Sequence, residues 1–121
     1  MSDTNFAEYL PYIDVNEGLS RVLKNKKLYA RLLKSYLAST SIDPVSVYLQ
    51  SGDMPAARDA VHSIKGVSAN LSITKTFEFS RDLEANIKNG EDYAQSFLLL
   101  KDCLETTKPL IEKLIAELET I

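Results

Sequence analysis

The hydrophobic residues of the chain recur at spacings of three and four positions, which is the period of amphipathic α-helices. Between residues 26 and 38 the apolar side chains stand at positions 28, 29, 32, 33, 36 and 37. Toward the C-terminus a stripe runs from Phe97 to Leu118, in which spacings of three and four alternate in a near-heptad pattern. The four glycines and four prolines stand mostly where they can punctuate helices rather than build hairpins. This pattern predicts an all-α fold.

Capping residues and breaks divide the pattern into separate helices. Asp14 and Glu17 have the spacing of a capping box, and a first helix with Leu19, Val22 and Leu23 as its apolar stripe should follow. A second helix is predicted over about 26–38, an interruption at 39–41, a restart capped by Asp43 with Pro44 in its first turn, and a turn at 51–53. Further helices are predicted over about 54–71 and 72–88, with Asn89-Gly90 as a left-handed C-cap, and from about residue 92 onward, with Pro109 as a potential kink.

Short connections between long amphipathic helices favour antiparallel neighbours. The predicted architecture is therefore an antiparallel up-down four-helix bundle with an additional short N-terminal helix. A chain of 121 residues can bury one continuous core, so a single domain over 1–121 and a monomer are expected.

Composition and charge exclude several classes of function. Hydrophobic residues make up 45% and charged residues 26%, as in average soluble proteins. Apolar runs such as 97–100 are too short to cross a bilayer, and the first residues lack the features of a signal peptide, so no membrane partner and a cytoplasmic location are expected. The net charge of −3 comes without a basic run suited to a phosphate backbone, which argues against nucleic acid. The lone Cys103 suits a reducing compartment and a packing role.

His62 is the only histidine, and its position on the predicted third helix is distinctive. At about 100° per residue, the apolar residues of that helix cluster around Ile64, whereas His62 falls about 160° away and should face solvent. Lys65 and Gly66 neighbour it one turn later. Arg58 and Asp59 flank it one turn earlier.

Gly66 needs an explanation, because glycine inside a helix costs about 1 kcal/mol relative to alanine. A side chain at this position would crowd the imidazole, and the small Ala69 continues the same face. Lys65 supplies a flexible positive charge that can reach a phosphoryl oxygen, and phosphoryl transfer depends mainly on positioning and charge stabilisation. Imidazole is itself a good phosphoryl acceptor.

Glu84 is a second anomaly, since it stands in an otherwise apolar register of the predicted fourth helix. Its carboxylate could accept a hydrogen bond from one imidazole nitrogen and leave the other free. A carboxylate that only lines the rim of the stripe is the alternative.

The segment His62-Ser63-Ile64-Lys65-Gly66-Val67-Ser68-Ala69-Asn70-Leu71 resembles the signature of histidine-containing phosphotransfer (HPt) domains, a histidine followed by x-x-Lys-Gly and small residues ending in Asn-Leu. Residues 14–23, the second helix, Gly52-Asp53 and Leu83-Glu84 extend the likeness over nearly the whole chain, as in a stand-alone member. The resemblance implies that His62 is the phosphoacceptor, that Lys65 and Gly66 face the phosphate, and that Glu84 hydrogen-bonds the imidazole. Gly18 in place of alanine, the break at 39–43 and Pro109 depart from the family.

The resemblance also implies the partners, which would be response-regulator receiver domains and hybrid histidine kinases. No cofactor is expected in the chain itself, since the receiver would supply Mg²⁺ and a single histidine with Asp59 makes no metal site. The expected docking surface is the exposed face around His62, formed by neighbours from the fourth predicted helix together with Pro55, Arg58, Asp59, Lys65, Gly66 and Ala69.

Two classes of function stay open, a phosphoryl carrier and a docking module that binds a receiver without being phosphorylated. An autonomous kinase or phosphatase is disfavoured, because the sequence has no nucleotide-binding glycine loop.

Overall fold

The structure, a computed structural model, describes residues 6–120, and helices dominate them. A 3-10 turn at Phe6–Tyr9 is followed by α1 (Val15–Arg21), α2 (Lys26–Ser39), α3 (Asp43–Ser51), α4 (Met54–Asn70), α5 (Thr74–Lys88) and α6 (Ala94–Glu119). No strand occurs within this range. The predicted all-α class is confirmed.

The helices pack as a bundle in which α4 contacts α5, α5 contacts α6, and α6 contacts α2. The connections at 71–73 and 89–93 are short, so the helices that they join run antiparallel. Two core clusters fill the bundle, and α2 contributes to one while α3 contributes to the other. Helices α2 and α3 thus form one interrupted wall of the predicted four-helix bundle, and α1 is the additional short N-terminal helix.

The break in this wall differs in detail from the sequence-based expectation. Asp43 was expected to cap the restarted helix, but Ile42 occupies the capping position and makes no side-chain cap. The backbone N–H of Asp43 instead donates to the hydroxyl of Ser41 at 3.0 Å. Pro44 lies in the first turn, as predicted.

Only one of the two hydrogen bonds of the predicted capping box forms at the start of α1. The Asp14 side chain accepts from the backbone N–H of Glu17 at 3.1 Å. The reciprocal bond is absent, because the Asp14 N–H donates to the carbonyl of Ser72 and the Glu17 carboxylate accepts from the Ser72 hydroxyl at 2.8 Å. These bonds tie α1 to the turn between α4 and α5.

Three helix boundaries in the structure differ from those predicted from the sequence. Helix α1 ends at Arg21, and Leu23 is 92% exposed rather than part of an apolar stripe. Helix α5 begins at Thr74 because Ser72 adopts a positive φ, which breaks the helical path. Helix α6 begins two residues after Asp92 and continues through Pro109 as one element. The left-handed Gly90 ends α5 as predicted.

Gly18 has a packing reason that the sequence did not reveal. The fully buried Tyr29 donates its hydroxyl to the carbonyl of Leu71 at 2.7 Å, which fastens α2 to the end of α4. A Cβ atom at position 18 would lie 2.5 Å from Cζ of Tyr29, far inside van der Waals contact. Alanine, the residue usual in the resembled family, cannot fit there without moving this tyrosine.

We therefore expect Gly18→Ala to lower the free energy of unfolding by about 1–2 kcal/mol. Overpacking costs about 1–3 kcal/mol, and alanine recovers up to about 1 kcal/mol through its helix propensity. Urea denaturation followed by circular dichroism measures the change. Gly66→Ala is the matched control, since a Cβ there meets no atom within 4 Å. Equal or greater stability of Gly18→Ala would contradict this packing account.

Candidate functional site

His62 is displayed from the middle of α4, on the side opposite the core. Ala57, Val61, Ile64 and Ser68 are the buried residues of this helix, and their spacing of three and four positions turns His62 outward. Its side chain is 66% exposed. The predicted orientation of the imidazole is therefore observed.

Glu84 reaches His62 from the neighbouring helix α5. Leu83 and Ile87 are buried in the core, which leaves position 84 on the flank of α5. The Oε2 atom of Glu84 lies 2.8 Å from Nδ1 of His62, and the Glu84 side chain is only 12% exposed. The Glu84 carboxylate thus has a polar partner. Of the two interpretations of the sequence, this agrees with a hydrogen bond to the imidazole.

Lys65 is held by the same carboxylate. Its Nζ lies 2.5 Å from Oε1 of Glu84, and its side chain is 28% exposed. The sequence suggested a flexible cation that reaches outward, whereas the structure shows an ammonium group paired across the α4–α5 seam. One carboxylate therefore joins the imidazole and the lysine in a three-residue cluster.

The electrostatics of this cluster fix the state of Glu84. Partial burial raises the pKa of its carboxyl, but hydrogen bonds and charge from Lys65 and His62 outweigh that effect and hold the pKa below its usual range. The carboxylate is therefore ionised at neutral pH and can only accept hydrogen bonds. The Nδ1 atom of His62 must carry the proton of their shared bond, so in the neutral imidazole the lone pair is on Nε2.

The remaining sequence-predicted residues lie around this cluster. Gly66 is exposed, with open space where a side chain would stand, and Ala69 is partly buried one turn later. Pro55, Arg58 and Asp59 are exposed. Within residues 6–120, His62 forms an ion pair with Glu84. Arg58 and Asp59 form none with His62 in the same range.

A groove between the α2–α3 break and α4 was not anticipated from the sequence. It has a volume of about 320 Å³ and separates the α2–α3 break from α4. Ser63, the neighbour of His62, lines it together with residues of the break, which are Ser39, Thr40, Ser41 and Pro44. The only sequence signal for it was the Ser-Thr-Ser interruption between two apolar segments.

Other kinds of chemistry find little support in the described part of the chain. Among residues 6–120, no three His, Cys, Asp or Glu side chains converge to hold a metal ion. Cys103 is buried beside Thr76, and burial raises the pKa of its thiol, which disfavours the reactive thiolate. In the same range no helix has the length and apolar character needed to cross a bilayer.

Comparison with known proteins identifies the family. The model of the Hpt domain matches residues 30–120, which include α4, α5 and α6 in full and hence His62, Lys65, Gly66 and Glu84. Searches of curated proteins and of solved structures returned no match. Because the family model covers well over half of the 121 residues, the chain belongs to the Hpt domain family.

Proposed function

We propose that this protein is a phosphorelay intermediate that carries a phosphoryl group on His62. It would accept the group from an aspartyl-phosphate receiver domain, or from a histidine kinase system, and pass it to a response-regulator receiver domain. Membership of the Hpt domain family supports phosphotransfer in two-component signalling. The observation that carries the assignment to His62 is its bond to Glu84, which is shared with Lys65.

The geometry supports a direct in-line transfer. The Nε2 lone pair of His62 attacks the phosphorus atom of an aspartyl phosphate, the phosphorus–oxygen bond to the aspartyl group breaks, and the aspartate leaves as a carboxylate. The resulting N-phosphoimidazole carries a positive charge while Nδ1 keeps its proton. The Glu84 carboxylate, which lies 2.8 Å from Nδ1, stabilises that charge in a partly buried setting.

The same carboxylate supports the reverse step. When the phosphorus–nitrogen bond breaks, a phosphoimidazole with protonated Nδ1 releases a neutral imidazole, which leaves more easily than an imidazolate. A bond to Glu84 that keeps the proton on Nδ1 therefore also favours transfer onward to an aspartate. In this proposal Mg²⁺ comes with the partner receiver. The residues of this chain orient the imidazole and place positive charge beside the incoming phosphoryl group.

Lys65 should contribute charge stabilisation without acting as the nucleophile. We expect Lys65→Ala to slow phosphoryl transfer by roughly some tens-fold, in line with the loss of one charge-stabilising group. Rapid-quench transfer from a phosphorylated receiver measures the rate. Lys108→Ala is the control, because Lys108 is exposed on α6, which contributes no residue to the His62–Glu84–Lys65 cluster, and this variant should transfer as the wild type does. Wild-type kinetics and phosphohistidine lifetime in Lys65→Ala would contradict this role.

The docking surface is proposed to be the exposed face around His62, with Pro55, Arg58, Asp59, Gly66 and Ala69 beside it. A receiver's phosphorylated aspartate lies among acidic groups that Arg58 and Lys65 can complement. Transient signalling contacts are small, and the interface should weaken with salt and need no rearrangement of the bundle.

Amide chemical-shift mapping with a cognate receiver tests this surface. We expect perturbed resonances on α4 around His62 and on the adjoining face of α5, while the part of α6 beyond Pro109 stays unchanged. Shifts centred on that last segment would instead favour the second candidate function, a docking module that binds a receiver without carrying phosphate.

A further inference from the structure

The cations of the chain are unevenly distributed. Six of its 14 Lys and Arg residues fall within residues 21–34, while none of its 17 Asp and Glu residues lies between Glu17 and Asp43. The rest of the chain therefore holds eight cationic residues against all 17 acidic ones. A protein with a net charge of −3 thus carries one strongly basic segment, which spans the α1–α2 turn and the outer part of α2.

Most of these cations are available for an external partner. Within residues 6–120, no ion pair joins Lys24, Lys26, Lys27 or Arg31 to a carboxylate, whereas Arg21 pairs with Glu17 and Lys34 pairs with Glu119. Residues 27, 31 and 34 follow each other at helical spacing and line one groove with Glu119 near the end of α6.

An apolar side chain stands at the tip of this basic segment. Leu23 is 92% exposed, and both Leu23 and Lys24 adopt positive φ angles, which non-glycine residues adopt uncommonly. An exposed leucine alone is ordinary. Here, however, the turn presents it beside cations that form no ion pair within residues 6–120, so apolar and electrostatic attraction would act at one place.

The outer face of α2 is remote from the phosphotransfer face, although Arg21, at the end of α1, lines a groove with Ala69 and Phe77. His62 and Glu84 bridge the seam between α4 and α5, whereas Lys34 and Glu119 bridge the seam between α2 and α6. Because α5 also packs on α6, these two seams lie on opposite sides of the bundle. A partner held by the outer face of α2 would leave His62 accessible.

We propose that the α1–α2 turn and the outer face of α2 form a peripheral docking surface for an anionic lipid bilayer. Four of the six cations are lysines, which are flexible point charges and suit diffuse lipid charge better than a fixed bidentate partner. Leu23 and Leu32, which is 37% exposed on α2, are too few for the packed apolar centre of a protein interface. Leu23 at the turn nevertheless fits shallow insertion among headgroups. Unlike a membrane span, such contact needs no long apolar run.

Co-sedimentation of the full chain with lipid vesicles tests this proposal. Binding to vesicles of equimolar phosphatidylglycerol and phosphatidylcholine is expected at about 0.1 M salt and should fall at about 0.5 M. Vesicles of phosphatidylcholine alone should bind little. Lys27→Gln with Arg31→Gln should weaken partitioning roughly thirty-fold, since each cation near an anionic surface contributes about fivefold, and Leu23→Ser should weaken it several-fold.

Two control variants test whether vesicle binding depends on the α1–α2 turn and the outer face of α2. Lys101→Gln with Lys108→Gln removes two exposed cations from α6, and Leu98→Ser removes another exposed leucine. Both variants should bind as the wild type does, and all variants should transfer phosphate normally to a soluble receiver. Absent binding, equal binding to neutral vesicles, or equal losses in the controls would overturn the proposal. A loss of receiver transfer without a loss of vesicle binding in the basic-surface variants would assign this surface to an acidic protein instead.

Discussion

His62→Gln should fold as the wild type does and lose phosphoryl transfer entirely. Glutamine offers no nitrogen lone pair that can form a phosphoramidate of comparable stability, and no second imidazole exists in the chain to replace it. The side chain at position 62 is mostly exposed, so its removal leaves the core intact and releases only the bond to Glu84, which Lys65 still holds.

Transfer from a phosphorylated receiver, followed by detection of acid-labile phosphate on the protein, measures this effect. Circular dichroism and thermal melting of the same sample provide the control for folding. Acid-labile phosphate on the Gln variant would show that another group accepts it. Unfolding of the variant would instead make His62 a structural residue.

Substitution of Gly66 by alanine should change the stability of the fold and the rate of phosphoryl transfer in opposite directions. A Cβ added there meets no atom within 4 Å, and glycine costs about 1 kcal/mol inside a helix relative to alanine. Gly66→Ala should therefore raise the free energy of unfolding by up to about 1 kcal/mol while it slows transfer, because the added methyl group narrows the approach to the imidazole from a bulky donor.

A larger residue extends the same experiment. Gly66→Gln should keep the fold and impair transfer much further than Gly66→Ala, since its side chain projects over the neighbouring turn toward His62. Denaturation curves and transfer rates of both variants show whether Gly66 is needed to leave room beside His62 or to give the backbone conformational freedom. Unchanged rates in both variants would refute the steric explanation, and a loss of stability in Gly66→Ala would show that the glycine is needed for the backbone.

The helices and the exposure of His62 could be predicted because they depend on local periodicity. Apolar residues at helical spacing define the buried side of α4, and the opposite side follows from the geometry of a helix. Gly90 and Asp53 mark helix ends through their own backbone or side-chain bonds, which are also local. Glu84 could be identified as anomalous for the same reason.

Three of the differences came from contacts between residues far apart in sequence. Glu17 was expected to bond its own helix start, but Ser72 provides a partner that the sequence does not place nearby. Gly18 had no visible reason until Tyr29 was seen to occupy the space beside it. The Lys65–Glu84 ion pair was likewise missed, because spacing along α4 says nothing about what α5 presents to it.

The central claim is that His62 accepts the phosphoryl group on Nε2 while Glu84 holds Nδ1. Nitrogen-resolved NMR of the chain, labelled with ¹⁵N and phosphorylated by a receiver, measures this directly through phosphorus–nitrogen coupling in the single imidazole. We predict coupling at Nε2 and a retained proton on Nδ1, with Glu84→Gln changing the Nδ1 resonance. Coupling at Nδ1, or phosphate on any other residue, would contradict the account.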